Sequence, residues 1–209
     1  MFTNQKLKQL IVPLVIEQIL AVLVGMADIM MVSSVSEAAV SGVSLVDSIS
    51  ILIINIFAAL ATGGAVVAAQ YLGRREEEQA CFSAKQLILC TTAISAVIMV
   101  MFLIFGHQLI SLIFGKVDPE VLASAQTYLF ITSMSYPFIA LYNSCAALYR
   151  AMGNSRISMV TSLIMNSLNI VGNAILIYGL GMGVEGAAIP TLISRIVCAA
   201  VSYTHLRAH

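Results

Sequence analysis

The sequence predicts an all-α, polytopic membrane protein built as a bundle of six transmembrane helices. Of its 209 residues, 60% are hydrophobic and only 10% are charged, whereas a soluble domain carries about 25% charged residues. The apolar residues gather in six long runs that polar links separate. The formal net charge is zero, so no basic surface indicates a nucleic-acid partner. The lipid bilayer is the predicted environment.

The first apolar run, residues 10–32, is long enough to cross a bilayer, since at about 1.5 Å per residue it reaches roughly 34 Å. It contains two carboxylates, Glu17 and Asp28, eleven residues apart. Eleven residues make about three helical turns, so both side chains face the same way. A charge near the bilayer centre costs about 2.5–3.5 kcal/mol, so we expect these groups to face a cavity. The alternative is that Asp28 meets water at the outer interface.

The other predicted spans are residues 44–72, 86–105, 121–148, 157–178 and 187–203. Residues 107–120 are predicted to form a longer, partly amphipathic link. Pro137 falls inside the fourth span and is predicted to kink it, because proline removes a helix hydrogen bond. Pro13 in the first span and Pro137 are therefore candidate hinges. The alternative is that both are ordinary membrane-helix prolines.

Basic residues set the predicted orientation. The N-terminal tail and the even-numbered links carry seven of them, against one, Lys116, in the odd-numbered links. Since basic links stay in the cytoplasm, the N-terminus is predicted to be cytoplasmic and the chain to lie in the cell (inner or plasma) membrane. Asp28 then lies in the outer half of its helix and Glu17 in the inner half. The seven basic residues are Lys6, Lys8, Arg74, Arg75, Lys85, Arg150 and Arg156.

The fifth span carries a stripe of amides. Asn166, Asn169 and Asn173 are spaced three and four residues apart, so they share one helix face. Amides in a membrane helix are costly unless they are satisfied. Other helices can satisfy them, or their carbonyl oxygens can point at a cation or a wet cavity.

A cation site is predicted where this stripe approaches the sixth span. Thr191 begins that span after a glycine-rich turn, so Asn173 and Thr191 lie at similar depth in a helical hairpin, and Asp28 also lies in the outer half of its span. A carboxylate, amide oxygens and a hydroxyl are hard ligands suited to a cation such as sodium. A single carboxylate also matches the charge of a monovalent ion.

Further polar residues are candidates for the wall of a substrate cavity. Asn55 in the second span and Asn143 in the fourth are costly to bury, and Tyr136 shares a helix face with Asn143. Glu17 either attracts cationic substrates at this cavity or hydrogen-bonds a neighbouring helix. Packing between helices is the alternative for all polar stripes.

Arg195, one turn after Thr191, is an intramembrane cation that needs an acidic partner. The sequence offers Asp47 or Glu17 and does not choose between them.

Several stretches of the chain resemble the N-terminal half of multidrug and toxic compound extrusion (MATE) transporters. They are P-x3-EQ from Pro13 with Asp28 fifteen residues after that proline, GGAVVAAQYLGRR (63–75), YRAMGNSR (149–156) and NIVGNAILIYGLGMGVEGAAIPTLIS (169–194). The resemblance implies one lobe of a twelve-helix, two-lobe antiporter that exports cationic and amphipathic small molecules in exchange for Na⁺ or H⁺, with no other cofactor. It also implies a cation site at Asp28, Asn169, Asn173 and Thr191.

Two departures from the family pattern qualify this prediction. Some members have a second carboxylate where Asn173 stands, so its absence weakens a simple proton relay more than it weakens sodium coordination. The family is also about twice as long. We therefore expect residues 1–202 to be the N-terminal lobe, residues 203–209 to be a truncated or non-native tail, and the C-terminal lobe to be a missing partner.

Three other functions compete with this prediction. A lipid-linked oligosaccharide flippase of the same superfamily needs a more cationic cavity, and Arg195 alone is available for it. An intramembrane enzyme needs an HExxH motif, a serine with a histidine partner, or paired aspartates; the sequence supplies none of these convincingly, so no enzymatic activity is predicted. A non-transporting membrane subunit is the third alternative.

Overall fold

The computed structural model describes residues 4–207, and the side chains of residues 11–206. In this range the chain forms seven α-helices and one π-helical segment that directly follows the sixth helix. The elements are α1 (Asn4–Ser33), α2 (Glu37–Gly73), α3 (Glu77–Phe114), α4 (Pro119–Ser133), α5 (Tyr136–Ala151), α6 (Ser155–Asn173), the π-helical segment (Ala174–Gly179) and α7 (Glu185–Arg207).

The architecture confirms the predicted all-α membrane bundle. Among the described residues, five helical segments are long and apolar enough to cross a membrane: α1, α2, α3, α6 with its π-helical extension, and α7. The sixth crossing is made of α4 and α5, which are too short singly and cross together. Many large hydrophobic side chains are exposed, among them Val22, Leu89 and Leu112. They form the surface that contacts lipid.

Short local signals set the helix ends. Ser36 caps α2, its side chain accepting a hydrogen bond from the backbone N–H of Ala39 at 3.0 Å. Gly115 ends α3 with a φ of 71°, a conformation that glycine adopts without steric cost. Asp118 and Pro119 then begin α4, with the proline in the first turn, where its missing N–H costs nothing.

The fourth crossing is broken rather than kinked. The prediction was one helix over residues 121–148 kinked at Pro137; the interruption does lie next to Pro137, but it divides the span into two helices, since α4 ends at Ser133 and α5 begins at Tyr136. Pro137 lies in the first turn of α5 and cannot donate a backbone hydrogen bond to the preceding turn. Ser135, in the break, instead donates its hydroxyl to the carbonyl of Thr132 at 2.6 Å.

Several other predicted boundaries were too short, two of them at the C-terminal ends of helices. Helix α3 continues to Phe114, so the first part of the predicted link over residues 107–120 is helical. Helix α7 continues to Arg207, and Leu206 packs against a cluster of buried residues that includes Ala61, Leu87 and Leu148. Most of the predicted tail is therefore helix in this structure, while residues 208–209 lie outside the described residues. The division at residue 202 stays a prediction.

The lobe is organised around α2, which packs against α3, α4 and α5. Small residues permit the closest approaches: a Cβ at Gly64 would lie 2.3 Å from Cδ1 of Leu87 on α3, as is usual where membrane helices meet. The centre of the core is aromatic, with the ring of Tyr136 edge-on to Phe57 and Phe102 at centroid distances of 6.2 and 5.6 Å.

Helices α6 and α7 form the predicted hairpin, and α1 packs on α6. The hairpin is tight because Gly172 faces Pro190: a Cβ at Gly172 would lie 2.6 Å from Cβ of Pro190. Gly172 directly precedes Asn173 on α6, and Pro190 directly precedes Thr191 on α7. This contact therefore sets the distance between the polar side chains that the two helices present to α1.

Candidate cation site

The structure brings the four predicted cation-site residues together. Asn173 donates a hydrogen bond from Nδ2 to Oδ1 of Asp28 at 2.7 Å, and a longer one to Oδ1 of Asn169 at 3.4 Å. Asn169 is bonded to the hydroxyl of Thr191 at 2.9 Å. Helices α1, α6 and α7 thus meet in one continuous polar cluster, as the helical spacing predicted.

The amide of Asn169 has two orientations in this cluster, and the second satisfies both of its polar atoms better than the first. In the first, Nδ2 donates to Thr191 and Oδ1 faces Asp28. In the second, Nδ2 donates to both carboxylate oxygens of Asp28, at 3.0 and 3.1 Å, and Oδ1 accepts from Thr191. Thr191 fits either arrangement, because its hydroxyl can accept from the amide or donate to it, and it otherwise donates to the carbonyl of Ala187 at 2.9 Å.

The residues fit a small cation by the chemistry of their donors. Asn173 is 1% exposed, and its Oδ1 atom is buried without a hydrogen-bond partner. An unpaired buried acceptor is costly, and a bound cation would satisfy it. With the oxygens of Asp28, Asn169 and Thr191, it makes an all-oxygen ligand set of the kind that hard cations prefer. Asp28 is half-buried, so its carboxylate is not sealed inside the lobe.

Glu17, the other carboxylate of α1, joins neighbouring helices. It accepts hydrogen bonds from the hydroxyl of Tyr142 at 3.3 Å and from Ser158 at 3.2 Å. Arg150 donates to the same serine hydroxyl at 3.3 Å. Of the two roles left open by the sequence, these contacts favour a structural one, in which Glu17 connects α1 to α5 and α6.

The predicted cavity residues separate into three environments. Tyr136 is fully buried, bonded to Ser50 at 3.3 Å and packed between aromatic rings, so its prediction as a cavity residue was wrong: it belongs to the core. Asn55 is exposed on the surface of α2. Asn143 is half-buried, and its Nδ2 atom has no hydrogen-bond partner. The assignment of Asn55 and Asn143 to the wall of a substrate cavity stays a prediction.

Of the two candidate hinges, Pro13 lies within the continuous α1 helix. Pro137 lies beside the break between α4 and α5.

Sequence reasoning left one polar cluster unresolved. Asp47 on α2 accepts a hydrogen bond from the hydroxyl of Tyr128 on α4 at 3.2 Å. Arg195 on α7 donates to the hydroxyl of Ser135 at 2.7 Å and interacts electrostatically with Asp47 and Asp28. The spacing of Tyr128 and Ser135, about two turns of helix, was the available signal, since it puts both on one face.

The fold and this polar site define one lobe of a helical membrane transporter. The model of the MatE family matches residues 13–175, which is well over half of the chain. The chain belongs to the MatE family.

Two curated relatives illustrate the match. An uncharacterized transporter, YisQ, of Bacillus subtilis (strain 168) is 31% identical over 193 residues, which cover 88% of this chain and 41% of YisQ. The multidrug export protein MepA of Staphylococcus aureus (strain bovine RF122 / ET3-1) is 27% identical over 188 residues, 90% of this chain and 41% of MepA. The chain therefore spans less than half the length of these relatives, which are transporters rather than enzymes.

Solved structures agree with this assignment. A transporter of the MOP superfamily from Pyrococcus furiosus superposes with a TM-score of 0.89 at 26% identity, over 96% of this chain and 44% of the other. Coverage of this extent is consistent with an N-terminal half of a two-lobe transporter.

Proposed function

We propose that this chain is the N-terminal lobe of an antiporter that exports cationic and amphipathic small molecules in exchange for Na⁺ or H⁺. The observation that carries the proposal is the cluster of Asp28 with Asn169, Asn173 and Thr191, which supplies one carboxylate and several neutral oxygens. The name of MepA, a multidrug export protein, supports the class of substrate. The chain works with a C-terminal lobe and lies in the cell membrane with its N-terminus in the cytoplasm.

The two asparagines suit this role because an amide offers both a donor and an acceptor. Without a cation, the N–H groups of Asn173 and Asn169 stabilise the carboxylate of Asp28. With a cation, rotation of the amides turns their oxygens toward the ion. The amides thus stabilise Asp28 in the ion-free state and, once an ion is bound, give Oδ1 of Asn173 the partner that it otherwise lacks, whereas a pair of carboxylates without an ion would have to take up a proton.

Sodium is the coupling ion that this ligand set favours. Asp28 is the carboxylate of the cluster, and Asn173 supplies an oxygen that does not titrate. One negative charge surrounded by neutral oxygens binds a monovalent ion with little need for a proton. A proton at Asp28 is the alternative, and sodium binding at constant pH separates the two.

Exchange requires that cation and substrate favour different arrangements of the lobe. Asp28 joins α1 to α6 through its hydrogen bond with Asn173, so a cation that replaces this bond changes how α1 is held. On the adjacent α2, four polar side chains are exposed rather than packed. They are Ser44, Ser48, Asn55 and Thr62. This stripe supports a wet cavity between the lobes, because polar groups facing lipid are unfavourable.

The test is dye efflux from bacterial cells that lack their own multidrug pumps. Since the chain spans 41% of MepA, it is fused to the C-terminal part of MepA to supply the second lobe. The expected result is efflux of a cationic dye that an inward sodium gradient accelerates. Replacing Asp28→Asn should abolish it, while the charge-matched control Asp118→Asn, at the start of α4, should not. Gradient-driven efflux that survives Asp28→Asn would refute the proposal.

The flippase alternative is less well supported. A lipid-linked pyrophosphate needs uncompensated cationic groups. Arg195 lies near Asp47 and Asp28, so its charge is opposed by two carboxylates. A lipid-linked substrate analogue that blocks dye efflux competitively would favour the flippase.

A further inference from the structure

The lobe holds a second group of charges, one helical turn deeper than the cation site. Arg195 follows Thr191 by four residues on α7, so both side chains project from the same face. Thr191 bonds Asn169 in the cation site, whereas Arg195 bonds Ser135 at the break between α4 and α5. The two groups are therefore neighbours along α7 but have different partners.

Arg195 and Asp47 lie at the same depth. Helices α2 and α7 begin on the same side of the lobe, where Gly183 approaches Val35: a Cβ on the glycine would lie 3.8 Å from the valine side chain. Asp47 and Arg195 each lie ten residues after the first residue of their helix, about 15 Å along the axis. Their partners are Tyr128 on α4 and Ser135 directly after α4. Helix α4 packs against both α2 and α7, which brings the opposite charges toward each other.

The charges interact without direct contact. Of the five N–H donors of Arg195, one has a hydrogen-bond partner among residues 11–206, the hydroxyl of Ser135. Asp47 is bonded to Tyr128. Arg195 nevertheless interacts electrostatically with Asp47 and, more weakly, with Asp28. All three are half-buried, in surroundings where a charge is felt over longer distances than in water.

The sum of these charges determines which ion the lobe can balance, provided that the proposed cation site exists. Asp28 and Asp47 contribute two negative charges and Arg195 one positive charge. We propose that Arg195 is a fixed counter-charge for Asp47, which leaves one uncompensated negative charge in this group of three and so matches the site at Asp28 to a single monovalent cation. Arg195 is thus a positioning residue: it determines affinity and charge selectivity without contacting the ion.

The proposal predicts opposite signs for two substitutions. Arg195→Gln leaves Asp47 uncompensated, so ²²Na⁺ should bind about ten- to twenty-fold more tightly, the effect of a unit charge about 10 Å away at an effective dielectric constant of about 20. Asp47→Asn leaves Arg195 uncompensated, so binding should weaken by a similar factor. The double variant Asp47→Asn/Arg195→Gln restores the charge and should bind within about three-fold of wild type.

A merely structural role would not give this pattern, since damage to packing weakens binding in each variant. Arg195→Lys keeps the charge without the planar donors and is the conservative control; it should bind sodium like wild type. Competition by Ca²⁺ is a second readout. Arg195→Gln leaves the charges of both Asp28 and Asp47 uncompensated, which favours a divalent ion. Ca²⁺ should therefore displace ²²Na⁺ at about ten-fold lower concentration than in wild type.

The assay is equilibrium ²²Na⁺ binding to the purified 209-residue chain, checked for monodispersity before each measurement. Unchanged or weaker binding in Arg195→Gln, or failure of the double variant to restore affinity, would overturn the inference and leave the cation site standing. Absence of sodium binding in wild type would overturn the cation site, and the inference with it. If Arg195→Gln alone does not fold, the comparison of Asp47→Asn with the double variant decides by the same criterion.

Discussion

The substitution Asn173→Leu measures how much the hydrogen bond from Asn173 to Asp28 contributes to stability when no cation is bound. Asn173 is 1% exposed and donates to Oδ1 of Asp28 at 2.7 Å. Leucine has a similar size but no donor, so it leaves a half-buried carboxylate without its shortest hydrogen bond. Helices α1 and α6 lose the polar contact that joins them near their C-terminal ends.

The magnitude follows from the kind of bond that is lost. A hydrogen bond to a charged group contributes about 1.5–3 kcal/mol to the free energy of unfolding. For a chain of 150–250 residues this corresponds to a melting temperature lower by roughly 3–12 °C. The matched control is Asn166→Leu, two turns earlier on α6. There the Nδ2 atom is buried without a partner, so an apolar replacement should be neutral or stabilising.

Thermal unfolding in sodium-free buffer measures this difference. The chain has no tryptophan, but Cys145 and Cys198 are buried and become reactive when the lobe unfolds. A thiol-reactive dye therefore reports unfolding once the exposed Cys81 and Cys90 are replaced by serine. Equal melting temperatures for Asn173→Leu and Asn166→Leu would refute the account of how Asp28 is held.

Two further predictions concern the helix contacts around the site. Glu17→Ala should lower the free energy of unfolding by about 1.5–3 kcal/mol, because Tyr142 and Ser158 lose a charged acceptor; Glu17→Gln keeps an acceptor and should lose less than half of that in the same thermal assay. Gly172→Val should weaken ²²Na⁺ binding by at least about ten-fold, because its Cβ would meet Pro190 at 2.6 Å and force α6 away from α7. Gly179→Ala, with open space around the new Cβ, is the control, and equal sodium binding by both variants would contradict the role given to the Gly172 contact.

The crossing segments were predictable because each depends on local composition. A long apolar run must form a helix in lipid whatever its neighbours are, so each predicted run is helical, although the fourth is divided and several boundaries differ. The break at Ser135 was not predictable in the same way. Pro137 indicated an interruption, but whether a helix bends or stops depends on which tertiary contacts take up the freed backbone groups.

The residues of the candidate site could be predicted from the sequence, but the hydrogen bonds between them could not. Periodicity alone places Asn169 and Asn173 on one face, and the hairpin brings Thr191 to their depth. Which atom of each amide faces Asp28 depends on three helices meeting, and the sequence contains no signal for it. Tyr136 was misassigned for a related reason, because a tyrosine on a polar stripe has the same spacing whether its ring faces a cavity or the aromatic core.

The partner of Arg195 shows the same limit. Asp47 and Glu17 were both available in the sequence, and the choice depends on depth and on the order of helices around α2. Glu17 bonds Tyr142 and Ser158, whereas Asp47 is close enough to Arg195 to interact with it electrostatically without direct contact. Relations between elements distant in sequence decided this pairing.

Direct sodium binding tests the central claim, that Asp28 and its oxygen neighbours form a cation site. The measurement is ²²Na⁺ binding to the purified wild-type chain and to Asp28→Asn at constant pH. Removing a unit charge about 4 Å from the ion, at an effective dielectric constant of about 20, costs about 4 kcal/mol, or roughly a thousand-fold in affinity. Saturable binding in wild type that is lost in Asp28→Asn is the predicted result. Equal binding by the two proteins would contradict the claim.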